Sequence, residues 1–83
     1  MNHGAFTYTV TTQATAERVR VMLRSERDPA MNQDWCYIAD GLALVRSSVC
    51  EIDSTEIEAV DRKLGEKVRR IAVKAWESAT VAA

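Results

Sequence analysis

Trp35-Cys36-Tyr37-Ile38-Ala39-Asp40-Gly41-Leu42-Ala43-Leu44-Val45 is the stretch whose reading decides the fold. An Asp-Gly pair between two apolar runs favours a two-residue turn whose twist suits paired strands, so a hairpin is expected here. The same residues also fit a helix over residues 31–49. In that reading Trp35, Ile38, Leu42, Val45 and Val49 make one stripe, and Gly41 costs about 1 kcal/mol. The hairpin leads to an α+β domain and the helix to a mostly α one; the hairpin is the leading expectation because its turn residues have a specific role.

Working toward the N-terminus, Phe6, Tyr8 and Val10 alternate with Thr7, Thr9 and Thr11, which predicts a strand over residues 6–12. From Ala14 to about Arg27, Ala16, Val19, Met22 and Leu23 fall on one helical face, and Asp28-Pro29 supplies a stop. Toward the C-terminus, Asp53 with Glu56, or Thr55 with Glu58, offers a capping box. Ile57, Val60, Leu64, Val68, Ile71 and Ala75 then repeat at helical spacing to about Ser78, a helix of roughly seven turns. The expected order is β-α-β-β-α, a two-layer α+β domain with both helices on one face of a small sheet. Its core would hold Phe6, Tyr8, Val10, Val19, Leu23, Ile38, Leu44, Ile57, Leu64, Val68 and Ile71.

A chain of 83 residues, 47% hydrophobic and 28% charged, supports a single domain, with residues 1–5 and 79–83 expected to fray. The net charge of -1 argues against bulk attraction to nucleic acid or to anionic membranes, so any such binding needs a local patch. No apolar run approaches the ~18 residues that span a bilayer, and residues 1–10 lack the basic start and apolar stretch of a signal peptide. The expectation is a cytoplasmic protein in which Cys36 and Cys50 are reduced thiols, with no cofactor, and without the ligands of a zinc site.

Charge is segregated along the chain. Residues 34–61 hold seven acids against Arg46, whereas residues 62–83 hold six bases against Glu66 and Glu77. Acids early and bases late in the last helix complement its dipole, which accounts for much of the pattern; the remainder makes Glu56, Glu58 and Asp61 candidate contacts for a partner. On the expected first helix, Arg20, Arg24 and Arg27 lie at i, i+4 and i+7, a ridge able to grip phosphates or carboxylates. Gly65 and Trp76 share one flank of the last helix. That flank would suit a contact seam or a symmetric homo-oligomer interface, although packing at the core's edge explains Trp76 as well.

Catalysis lacks its parts. His3 is the one histidine and sits in the terminus expected to fray, and no nucleophile elbow, phosphate loop or dinucleotide motif occurs. The expected order, together with Val45-Arg46 and Trp76-Glu77-Ser78-Ala79, resembles the small DinI-type modulators of the recombinase RecA. The last helix, basic after Asp61, departs from that family's acidic one. Size and lack of chemistry also resemble, by type alone, phage inhibitors such as anti-CRISPR proteins. The leading expectation is a non-enzymatic protein-binding module, an inhibitor or regulator; the alternative is a nucleic-acid-binding, repair or transcription modulator using the arginine ridge.

Overall fold

The computed structural model of the chain describes residues 1–47 and 61–82. Five strands, β1 (Asn2–His3), β2 (Phe6–Ala14), β3 (Arg18–Ser25), β4 (Gln33–Asp40) and β5 (Ala43–Ser47), form one antiparallel sheet in the order β1-β2-β3-β4-β5. A 3₁₀ turn (Pro29–Met31) links β3 to β4, and the helix α1 (Arg62–Ala82) packs on one face of the sheet against β2 and β3. The mixed α+β class is as expected. The order is not: residues 18–25 are the central strand, where a helix over residues 14–27 was expected, and the topological part of the DinI-type resemblance goes with it.

Val21 explains the difference. Val19 and Leu23 are four apart, a spacing that serves a helix face and a strand face equally well. On the helical reading Val21 falls among the arginines; in the structure Val19, Val21 and Leu23 are all buried on one face, and Arg18, Arg20, Met22 and Arg24 take the other. β-Branched residues at alternate positions suit a pleated surface, and β3 pairs on both sides, with Val10 opposite Leu23 and Trp35 opposite Val21.

β4 and β5 form the expected hairpin, so the mostly α alternative does not hold for the described part of residues 31–49. Asp40 lies opposite Ala43, which leaves Gly41 and Leu42 as the loop, one residue later than the Asp40-Gly41 pair suggested. Gly41 has φ +62°, and no described non-glycine residue has positive φ. Glycine at the first central position of a two-residue hairpin loop is the type II′ arrangement.

The core lies between α1 and the face carrying Tyr8, Val19, Val21, Leu23, Trp35, Tyr37 and Leu44; α1 contributes Leu64, Val68 and Ala72. Burying Trp35, whose Nε1 donates to Gln33 Oε1 at 2.9 Å, satisfies both polar groups in place. The Arg46 guanidinium covers the same aromatic pair, 4.5 Å from the Trp35 ring and 5.4 Å from that of Tyr37. Val10 and Ile71 are only partly buried, and Phe6 and Ile38 are 36% and 45% exposed, so these four are less central than expected. Ile57 lies outside the described residues.

Residues 1–5 contain β1, with Asn2 opposite Thr7 and His3 opposite Phe6. The helix runs as far as Ala82. The expected capping boxes at Asp53 and Thr55 lie outside the described residues; α1 is capped by Asp61, whose Oδ1 accepts from the Leu64 N–H at 3.1 Å. Cys36, expected as a free thiol, is disulfide-bonded. The other cysteine of the sequence, Cys50, lies outside the described residues. Disulfides persist in oxidising compartments, whereas reduced thiols were expected from a cytoplasmic setting.

Candidate partner interface

The expected arginine ridge does not form, because β3 is a strand. Arg20 and Arg24 do share a face, at i and i+4 of the strand, and Asp34 sits on the neighbouring strand between them, opposite Met22. Arg20 Nη2 pairs with Asp34 Oδ2, and Arg24 Nη1 pairs with Asp34 Oδ1 at 2.8 Å. Arg24 Nη1 also donates to the carbonyls of Leu23 and Gln33, each at 3.2 Å. The Asp34 side chain is fully buried although it is on the sheet face away from α1, with the Arg20 and Arg24 guanidinium groups against its two carboxylate oxygens. Burial pushes its carboxyl upward, but the hydrogen bonds and charges of Arg20 and Arg24 outweigh that and hold its pKa below 3.8. This cluster fastens β3 to β4. Arg27 stands apart, exposed in the turn after β3.

Of the expected acidic contacts, Glu56 and Glu58 lie outside the described residues, and Asp61 is engaged at the start of α1. Its Oδ2 is 2.7 Å from His3 Nε2, while Lys67 Nζ lies 3.1 Å from both His3 Nδ1 and the Asn2 carbonyl oxygen. An ammonium can only donate, so His3 Nδ1 accepts from Lys67 and the ring proton sits on Nε2, directed at Asp61. The backbone bond from Leu64, with the His3 bond next, holds the Asp61 carboxyl below its ordinary pKa. Tyr8 is buried beside this cluster; its burial, and then the Asp61 charge, push its phenol above 10.0. His3 is thus part of a clasp between β1 and α1.

Gly65 is buried on α1, with its N–H directed at the Asp61 carbonyl at 3.2 Å, and it lines a shallow hollow with Arg62, Glu66 and Arg69. Trp76 is partly buried against the core, and its Nε1 donates to the Ala16 carbonyl at 2.8 Å, tying α1 to the turn between β2 and β3. Trp76 thus packs at the core's edge and makes one hydrogen bond. The structure therefore brings together Arg20 with Arg24, and separates both from Arg27, Asp61, Gly65 and Trp76.

What remains open is the solvent face of α1. Lys63, Arg70 and Lys74 are exposed and make no ion pair among the described residues. With Lys67 they repeat at i, i+4, i+7 and i+11, one stripe of a helix about 31 Å long. That spacing is legible in the sequence, where the helix dipole accounts for the same bases. A hollow of about 720 Å³ opens elsewhere, beside Gln13, Arg18, Ile38 and Ser47; its described lining holds no carboxylate or histidine. No described group of His, Cys, Asp and Glu is placed to hold a metal, and no described helix is long and apolar enough to cross a membrane. Neither a family model, nor a curated protein, nor a solved structure matches the chain.

Proposed function

We propose that this protein is a non-enzymatic module, an inhibitor or regulator, that binds an acidic surface of another protein through the solvent face of α1. The observation that carries the reading is the stripe of Lys63, Arg70 and Lys74, exposed and without acidic partners among the described residues. Cations held on a rigid helix contribute to association rate and to choice of partner. A protein target is favoured over nucleic acid by two facts: Arg20 and Arg24 are engaged with Asp34, and the chain as a whole carries a charge of -1.

The test is capture from source-cell lysate with the tagged protein, with and without nuclease, beside a Lys63→Glu/Arg70→Glu/Lys74→Glu variant. The expected result is a stoichiometric protein that survives nuclease and whose retention by the variant falls at least about tenfold. Equal capture by the variant overturns the reading, and material lost to nuclease puts nucleic acid in its place.

A further inference from the structure

We propose, building on the protein-binding reading, that the free edge of β2 from Val10 to Ala14 is a strand-addition site for an extended, acidic segment of another protein. Tyr8 exchanges both backbone bonds with Met1: its N–H donates to the Met1 carbonyl at 2.8 Å, and its carbonyl accepts from the Met1 amino group at 2.7 Å. The backbone groups of Tyr8 therefore point away from β3. Alternation along an antiparallel strand turns those of Val10, Thr12 and Ala14 the same way. Among the described residues nothing hydrogen-bonds their outward N–H and C=O groups.

Natural edges are guarded by charge, proline, bulges or covering groups. The other edge of this sheet has such a guard, since Arg69 Nη2 donates to the Leu44 carbonyl at 2.8 Å and β5 carries Arg46. β2, Phe-Thr-Tyr-Thr-Val-Thr-Thr-Gln-Ala, has no charge and no proline, and Thr12 is exposed. Its threonines suit an added strand.

The occupant follows from what lies beside the edge. The start of α1 is tied to β1 through His3–Asp61 and Lys67–Asn2, and its far part is tied to the turn after β2 through Trp76–Ala16. The helix therefore runs along β2 with its Lys67 side toward β1, and Ile71 and Lys74, four and seven residues later, continue that side along the free edge. An added strand takes backbone bonds from Val10 and Thr12, lays alternate apolar side chains against the partly buried Val10 and Ile71, and presents acids to Lys74. A second copy pairing β2 with β2 would set two such lysine flanks against each other, which disfavours self-association there.

The probe is a displayed library of random peptides of roughly twelve residues, selected on the intact protein, followed by amide exchange measurements on the bound complex. Selected peptides should alternate apolar and acidic residues and slow exchange at Val10 and Thr12. Thr12→Pro should abolish their binding, because it removes an outward N–H and leaves the ladder to β3 intact. Lys74→Glu, at an exposed position, should weaken binding about tenfold and remove much of its salt dependence. Four results overturn the proposal: no selected binder, basic or neutral binders, indifference to Thr12→Pro, or concentration-dependent protection of Val10 and Thr12 without peptide. Failure here alongside charge-sensitive capture of a protein from lysate leaves the α1 reading standing; failure of both removes both.

Discussion

Asp34 shows how a polar residue on the outward face of a sheet becomes a structural one. It is the acid between Arg20 and Arg24, and removing its charge leaves the two guanidinium groups of β3 flanking a neutral side chain. Breaking a fully buried pair costs about 3–5 kcal/mol, but these arginines are about a third exposed, so Asp34→Asn should cost about 2–3 kcal/mol by urea unfolding. The pH dependence follows from the direction of its pKa. The folded value lies below 3.8, so unfolded chains take up the proton first. The stabilisation is present above about pH 4 and is lost as pH falls through the folded pKa. Asp34→Asn should accordingly lose less stability than the wild type between about pH 5 and pH 2; equal slopes would show that Asp34 contributes nothing. Arg20, Arg24 and Asp34 are all visible in the sequence, but their pairing depends on strand register, which spacing within one element does not reveal.

At the scale of elements, the hairpin and the helix were legible because each carries a local signal. Asp40-Gly41 marks the turn, and Leu64, Val68 and Ala72 mark the buried face of α1 at helical spacing. The turn's exact position depended on cross-strand pairing, which sets Asp40 against Ala43. Gly41 adopts φ +62°, and a Cβ there would meet nothing within 4 Å, so any cost of substitution is backbone strain alone. Gly41→Val should cost about 1–2 kcal/mol, read as a lower thermal midpoint with an unchanged far-ultraviolet circular dichroism spectrum before melting. An unaltered midpoint would mean that the hairpin is held by its strands and gains nothing from its turn. β3 was not legible in the same way, since Val19 and Leu23 satisfy both periods and only burial of Val21 separates them.

At the scale of the whole molecule, one helix and one small sheet among the described residues share a single core, and covalent bridging matters in a chain of 83 residues. Cys36 lies on β4 and is disulfide-bonded, so Cys36→Ser, or reduction of the wild type, should lower stability by about 2–4 kcal/mol. Urea unfolding with and without reductant checks this, and the variant should show no further response to reductant. The sequence by itself determined β2, the hairpin and α1, together with the charge segregation that makes α1 basic, because each rests on a period or turn that neighbouring residues set locally. Only the tertiary structure decided that residues 18–25 are a strand, that Arg20 and Arg24 are engaged, that His3 is clasped and that the outward backbone groups of Val10, Thr12 and Ala14 have no partner among the described residues. Each of those depends on which strand lies alongside, and the free energy of pairing and burial between distant segments overrides a local preference worth a few tenths of a kcal/mol per residue.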